Sequence, residues 1–128
     1  MFEVGDIVRI YAPMAGHTKY HLCISVGSNG GTSQFLFLNS NPEYESSFPV
    51  PCARVPCIQP SDTGVTVFSF SILPRYTYDQ LRFYNAAKLG RLTKELAIEL
   101  LEFAATVQTF TRPEKKMVLD ALQQIALM

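Results

Sequence analysis

The first half of the chain alternates apolar and polar residues with the two-residue period of β-strands. Short β-branched and aromatic runs predict strands over residues 6–11, 20–26, 34–39 and 66–72. In the last run, Phe68, Phe70 and Ile72 share one face. Glycine and asparagine at 27–31 predict a hairpin loop. Five prolines between residues 41 and 60 restrict that stretch to short edge strands or an irregular crossover.

After Pro74 the apolar period becomes helical. Thr77 and Gln80 form a capping-box pattern, which predicts a helix that passes through Leu81, Tyr84 and Ala87 and is stopped by Gly90.

Two further helices are predicted toward the C-terminus. Thr93 can cap the first, and Thr111 with Glu114 forms a capping box for the second, over about 112–127. The expected buried positions recur at three- and four-residue spacing: Leu96, Ala97, Leu100, Leu101, Ala104 and Val107, then Val118, Ala121, Leu122 and Ile125.

The order of these elements predicts a mainly β fold with C-terminal helices in one domain spanning residues 1–128. Several short strands at this spacing favour a small closed or nearly closed β-barrel over 1–74. The helical part would then occupy 75–128 and contain two or three α-helices, the last of them an extension.

Composition narrows the class of protein. At 128 residues, 48% hydrophobic and 17% charged, the chain can bury a core and is not disordered. It has no apolar run near the roughly 18 residues of a membrane span, and its first residues lack the features of a secretion signal. We therefore expect a cytoplasmic protein that makes no membrane contact.

The formal net charge is zero, which argues against a surface coated in basic residues for nucleic acid. Positive charge is nevertheless concentrated between Arg75 and Lys94, where five basic residues accompany Asp79 alone. Such a run is either a solvated helix face or a contact for a phosphate backbone.

The cysteines do not indicate a metal or disulfide framework. Cys23, Cys52 and Cys57 form no Cys-x-x-Cys pair, and the two histidines lie far from Cys52 and Cys57 in sequence. We expect no metal site and no cofactor, and we expect Cys23 to pack as a small apolar residue in its strand.

The order of short motifs resembles the PemK/MazF family of toxins. Gly5-Asp6-Ile7-Val8 opens the first strand and Pro13-Met14-Ala15-Gly16-His17 follows, then a strand containing Leu22-Cys23-Ile24-Ser25. Family members read Gly-Asp and two hydrophobic residues, then a proline-containing loop with Gly-His or Gly-Ser. The segments 70–77 and 88–93, the latter Lys88-Leu89-Gly90-Arg91-Leu92-Thr93, are similar to the family's last barrel strand and the pattern that follows it.

This resemblance covers residues 4 to about 107. It implies an SH3-like barrel that dimerises, cuts single-stranded RNA without a metal ion, and is neutralised by an antitoxin protein. In that chemistry a 2′-hydroxyl loses a proton as it attacks the adjacent phosphorus, and the leaving 5′-oxygen gains one. A proton acceptor, a proton donor and a fixed cation or hydrogen-bond donors are therefore needed.

Four residues are candidates for the catalytic roles. His17 can move protons because an imidazole changes charge near neutral pH. Lys19 falls near the position of the family's arginine, where its ammonium can hold a phosphate. Asn39 and Ser40, where many members carry Thr or Ser, can donate to a phosphoryl oxygen. The structural alternatives are an exposed loop histidine, a solvated lysine and an ordinary Asn-Ser-Asn-Pro turn.

Substrate-binding candidates are Tyr20, His21 and Arg75. His21 can equally be a packed strand histidine, because periodicity does not decide which face it takes. Aromatic side chains on or beside predicted loops are candidates for stacking on bases: Tyr11, Tyr20, Tyr44 and Phe48.

The chain also departs from the family pattern. The family's Arg-Pro at the start of the second strand is missing, and Lys19 and Tyr20 stand near that position. In addition, no charged residue lies between Asp62 and Arg75. Three hypotheses follow. The chain is an endoribonuclease toxin, a non-catalytic barrel that binds protein or nucleic acid, or a structural protein that assembles through its helices.

Overall fold

The computed structural model describes residues 2–27, 31–41, 43 and 46–128. Within these ranges the chain forms seven strands and three α-helices, with one 3₁₀ turn at Cys52–Arg54. The elements run in the order β1 Asp6–Ala12, β2 His17–Ser25, β3 Thr32–Asn39, β4 Ser47–Pro51, β5 Val65–Ser69, β6 Arg75–Thr77, α1 Tyr78–Phe83, β7 Ala87–Arg91, α2 Lys94–Ala104 and α3 Arg112–Ala126. The predicted mainly β fold with C-terminal helices is confirmed.

All strands belong to one antiparallel sheet in the order β4-β5-β3-β2-β1-β7. The short strand β6 lies off this path and pairs with the first residues of β3, while β5 pairs with its last residues. The sheet is open, because β4 and β7 at its two ends are not hydrogen-bonded to each other. The strands therefore do not pair into the closed barrel that the sequence favours.

The two ends of the sheet nevertheless approach each other. A Cβ atom at Gly90 in β7 would lie 2.7 Å from Cβ of Cys57, a residue that follows β4 in the chain. Only glycine permits so close an approach. The sheet is thus curved enough for its two end regions to meet through packing instead of hydrogen bonds.

Each face of the sheet packs into its own core, because successive side chains of a strand point to opposite faces. One face packs against α2 and α3 through Ile7, Leu22, Ile24, Leu36, Phe68, Phe70, Leu96, Leu100, Val118 and Leu122. The other face, covered by β6 and α1, contains Val8, Ile10, Cys23, Phe35, Tyr76 and Leu81. Cys23 is fully buried there, as its apolar strand predicts.

The predicted helix caps are present. Thr77 with Gln80 and Thr111 with Glu114 form capping boxes, and the Thr93 hydroxyl accepts from the Leu96 amide. Both predicted stripes are buried, apart from Leu101, which is half-buried. None of the helices within the described ranges has the length and apolarity that a membrane crossing requires.

The first predicted helix is wrong in its extent. It ends at Phe83, and residues 87–91, expected to complete it as far as Gly90, form strand β7 instead. Asn85 takes a left-handed conformation with φ of 55°, which breaks the helix. The segment then pairs with β1, so tertiary hydrogen bonding overrides the local helical pattern.

The predicted strands are placed correctly, but three of their details differ. β2 begins at His17, before the predicted start. β5 ends at Ser69, so Ile72 is 52% exposed and does not share the buried face of Phe68 and Phe70. The strand β6 was not predicted. The proline-rich stretch supplies the edge strand β4, as expected, whereas residues 28–30 of the predicted hairpin loop and Pro42 lie outside the described residues.

A buried carboxylate joins β1 to β7. Asp6 is 1% exposed, and its Oδ1 accepts from the Arg91 guanidinium at 2.7 Å and lies 3.3 Å from Lys88 Nζ. Its Oδ2 accepts from the Glu3 amide at 2.9 Å. A buried charge is tolerated only when paired in this way.

We expect Asp6→Ala to lower the free energy of unfolding by about 2–3 kcal/mol, because charge-assisted hydrogen bonds are lost inside the sheet. The matched control is Glu3→Ala. The Glu3 carboxylate lies 3.2 Å from the same guanidinium but is 77% exposed, so its removal should change stability by less than about 1 kcal/mol. Urea unfolding of both variants measures the difference, and equal losses would contradict the importance of burial.

Candidate functional site

A cleft of about 320 Å³ opens at one end of the sheet, and none of the described residues that line it belongs to α2 or α3. It brings together the start of β2, the end of β3, the crossover after the 3₁₀ turn and the start of β5. Its lining comprises His17, Thr18, Lys19, Tyr20, Leu38, Asn39, Ser40, Asn41, Ile58, Gln59, Ser61, Val65 and Thr66. All four predicted catalytic residues and Tyr20 therefore lie in one place.

The cleft exists because β2 and β3 separate. Their last pair is Tyr20 with Leu38, after which β3 ends at Asn39 and the chain turns away. The Thr63 hydroxyl donates to the Ser40 carbonyl at 2.7 Å and so fixes the turn from the other side of the cleft. Residues 17–19 of β2 keep only β1 as a strand partner, which leaves their other side open.

Lys19 is half-buried and has neutral partners. Its Nζ donates to Oδ1 of Asn39 and lies 4.6 Å from the centre of the Phe37 ring, a cation–π distance. No carboxylate among the described residues forms an ion pair with it. Burial lowers the pKa of Lys19, since desolvation disfavours the charged form. An anion in the cleft would supply the countercharge that the protein does not.

Asn39 and Ser40 present donors beside this ammonium. Because Asn39 Oδ1 accepts from Lys19, its amide NH₂ is the end available to donate to another group. Ser40 is exposed at the rim, and its hydroxyl can donate to an oxygen bound in the cleft.

His17 is exposed at the first position of β2, and its Nδ1 lies 2.9 Å from the Thr18 carbonyl oxygen. A carbonyl oxygen only accepts, so the neutral imidazole carries its proton on Nδ1 and leaves the lone pair of Nε2 free. His17 and Lys19 are two residues apart and share a face of β2, roughly 7 Å apart along the strand. A proton acceptor and a cation thus stand side by side.

His21 does not line the cleft. It is fully buried, with its ring 4.9 Å from that of Phe37 and 5.6 Å from that of Tyr76. The expected contact with a substrate is therefore replaced by the packed strand histidine, the structural alternative. Its apolar surroundings explain this position, since Phe35 also packs edge-on against the ring.

The hydrogen bonds of His21 fix its tautomer. Nδ1 donates to the Lys19 carbonyl oxygen at 3.0 Å, so Nε2 accepts from the Tyr76 hydroxyl at 3.1 Å. Burial lowers the pKa of His21 to about 4, partly opposed by the bond to the Lys19 carbonyl. Burial also raises the pKa of Tyr76 to about 12. His21 is thus a neutral link that holds the backbone of Lys19.

Arg75 is also outside the cleft. It lies in β6 opposite Gln34, five positions before Asn39 on β3, or about 17 Å along that strand. Position along the chain gave no indication of this separation, which follows from the pairing of β6 with the far end of β3.

The four stacking candidates are dispersed. Tyr20 lines the cleft and is half-buried. Phe48 packs 5.1 Å from the Phe103 ring and belongs to the helix-side core. Tyr11 is 40% exposed on β1, and Tyr44 lies outside the described residues.

The far wall of the cleft was missed by sequence reasoning. Gln59, Ser61 and Thr66 come from the crossover and β5. Cys52 lies behind this wall, 3.6 Å from the Ser61 hydroxyl, and hydrogen bonding with Ser61 lowers the pKa of its thiol. Gln59 and Ser61 lie in the irregular crossover, which no periodic pattern marks. Thr66 begins a predicted strand, but the sequence does not show which strand it faces.

The described part of the chain holds no group of three or more histidine, cysteine or carboxylate side chains placed to bind a metal ion. Comparison of the chain with protein families, curated proteins and solved structures finds no match. The function is therefore argued from the cleft itself and from the motifs in the sequence.

The buried imidazole predicts a pH dependence of stability. His21 titrates at about 4 when folded and at 6.5 when unfolded, so between these values the unfolded state binds more protons. The contribution of His21 to the free energy of unfolding is fully present above pH 6.5. As the pH is lowered below 6.5, this contribution decreases by up to about 1.4 kcal/mol per pH unit, and about 3 kcal/mol is lost near pH 4. Urea unfolding between pH 7.5 and 5 measures the slope.

In His21→Gln this slope should disappear, whereas His17→Gln, which removes the exposed imidazole, should retain it. A slope that survives in His21→Gln would show that other groups cause it.

Proposed function

We propose that this chain is a metal-independent endoribonuclease that cleaves single-stranded RNA, the toxin of a PemK/MazF-like type II toxin–antitoxin system. One observation carries the proposal: a half-buried ammonium with neutral partners stands beside an imidazole, an amide and a hydroxyl in one open cleft. The sequence motifs of the family supply the substrate class.

In this proposal a phosphodiester enters the cleft with a non-bridging oxygen facing Lys19. Nε2 of His17 takes the proton of the adjacent 2′-hydroxyl, whose oxygen then attacks the phosphorus. The bond from phosphorus to the 5′-oxygen breaks, which leaves a 2′,3′-cyclic phosphate on one fragment and a 5′-hydroxyl on the other. The base is poised for this role because the Thr18 carbonyl holds its other nitrogen.

Lys19 serves two needs of the reaction. Its charge opposes the negative charge that builds on the phosphoryl oxygens, assisted by the Asn39 amide and the Ser40 hydroxyl. Its pKa is lowered by burial, so an N–H of the ammonium is a ready proton donor for the departing 5′-oxygen. His21 is a positioning residue, since it holds the Lys19 carbonyl from within the core.

The family resemblance extends the proposal to assembly and location. In this proposal the fold is an open variant of the SH3-like barrel, and the close approach of Gly90 to Cys57 supports the curvature that such a fold needs. The toxin acts in the cytoplasm as a homodimer, and an antitoxin protein inhibits it by covering the cleft. Departure from the family at Lys19, where an arginine would hold two phosphate oxygens, predicts a weaker hold on the phosphate.

Purified protein should cut unstructured RNA in EDTA and leave cyclic phosphate ends, mapped by gel and mass spectrometry. Lys19→Ala and His17→Ala should each reduce the cleavage rate about 100-fold or more, because charge stabilisation and proton transfer each contribute at this level. Asn39→Asp should also reduce the rate, because it places a carboxylate beside the ammonium at nearly unchanged volume.

The matched control is Lys116→Ala, which removes an exposed lysine from α3 and should leave the rate unchanged. Cleavage that requires added magnesium would contradict the proposed chemistry. RNA binding without any cleavage would instead favour the non-catalytic barrel.

Induced expression of the wild-type chain should arrest bacterial growth if it degrades messenger RNA. The double variant His17→Ala, Lys19→Ala should relieve the arrest at equal protein level, judged by culture density and immunoblot. Arrest that persists in the double variant would dissociate toxicity from the cleft.

A further inference from the structure

A second depression lies beside the cleft on the surface of β1, β2 and α1. We call it the aromatic groove; it has a volume of about 610 Å³ and is lined by Arg9, Tyr11, Thr18, Phe83, Tyr84 and Asn85. Phe83 is 80% exposed and Tyr11 40% exposed. A cluster of exposed aromatic rings is typical of a binding surface, whereas single exposed apolar side chains are not.

The rings of the aromatic groove are held in place by the fold. The Tyr84 ring packs 5.9 Å from Tyr11 and 5.3 Å from Phe83, measured between centroids. The amide of Tyr11 donates to the Tyr84 carbonyl at 3.2 Å, which fixes the end of α1 to β1. The groove therefore offers preformed aromatic faces.

The aromatic groove is continuous with the cleft. Thr18 lines both, and it is paired across β1 and β2 with Tyr11. Arg9 is paired with Tyr20, which lines the cleft, and side chains so paired have Cβ atoms about 5 Å apart. The cleft and the aromatic groove therefore adjoin at Thr18.

Charge favours an anionic occupant. Arg9 is exposed and forms no ion pair with the described residues. No aspartate or glutamate among the described residues lines either the groove or the cleft. Aromatic faces with one free guanidinium suit a base and its phosphate, since every base has a π-face and the phosphate is negative.

We propose that the aromatic groove is a nucleobase subsite. An unpaired base next to the phosphodiester in the cleft stacks on Phe83 and Tyr11, and Arg9 contacts the intervening phosphate. The inference rests on the proposed function for the path of the RNA strand. It adds Arg9 and Phe83 to Tyr11, which the sequence already indicates as a stacking candidate. A subsite of this kind holds the substrate without taking part in bond cleavage.

The natural chain contains no tryptophan, so Phe83→Trp places a single fluorescent reporter in the groove. The probe is a mixed-sequence 2′-O-methyl oligoribonucleotide, which lacks the hydroxyl nucleophile and cannot be cut by the proposed chemistry. We expect saturable quenching of this tryptophan. The matched control is Tyr78→Trp, which replaces a 48% exposed aromatic of the same helix outside the groove and should respond little.

Affinity gives the second measurement, by fluorescence anisotropy of the end-labelled probe. Phe83→Ala should weaken binding about 5- to 150-fold, the range for one stacked base. Tyr78→Ala should bind like the wild type. Both side chains are exposed, and thermal unfolding by circular dichroism checks that the variants stay folded.

The results separate this inference from the proposed function. Equal affinity of Phe83→Ala and Tyr78→Ala, or equal quenching of the two tryptophans, overturns the subsite even when cleavage is observed, and leaves a protein segment as the occupant to test. Selective effects at Phe83 support the subsite, and they do so even when no RNA is cut, in which case the nuclease proposal alone fails.

Discussion

Strand β2 is exposed to solvent at its start and buried in the core from His21 onward. The hydrogen bonds of His21 are made where the exposed part meets the buried part. A neutral imidazole sits between the Lys19 carbonyl and the Tyr76 hydroxyl, inside a cage of aromatic rings. Because the ring is fully buried, its two nitrogens need these partners. This link ties the backbone of Lys19 to Tyr76 of β6, in addition to the strand pairing that each residue makes.

The cleft follows from the same division of β2. On the N-terminal side of Tyr20, residues 17–19 of β2 pair with β1 but not with β3. Their side chains are therefore held in place while the edge of the strand that faced β3 is accessible. An ammonium there is partly desolvated and has an amide and an aromatic ring as partners in place of a carboxylate. Such a group gains more from a bound anion than a solvated lysine does, because the surrounding dielectric is lower.

The β1–β2 pairing also explains how a larger surface could serve one ligand. Arg9 and Tyr11 lie on the same sheet face as Tyr20 and Thr18, their cross-strand partners, so the aromatic groove and the cleft adjoin. The end of α1 completes the groove because Asn85 stops the helix and returns the chain as β7. Asn85, which ends the helix earlier than predicted, therefore also positions Phe83, the most exposed aromatic side chain among the described residues.

The sequence by itself determined the local elements. Strand alternation, the capping threonines Thr77, Thr93 and Thr111 and the buried helical stripes follow from short-range chemistry, and the structure agrees with them. Proximity of His17, Lys19, Asn39 and Ser40 was expected from a family resemblance and is found in the cleft, although their roles stay predictions.

Only the tertiary structure decided the rest. The strand β7 forms because β1 offers hydrogen bonds that outweigh a local helical preference. His21 is internal because one face of β2 is covered by β6 and α1, and Arg75 is remote because β6 pairs with the opposite end of β3. Each outcome depends on which distant segment supplies the partner. Periodicity along a single chain carries no information about that choice.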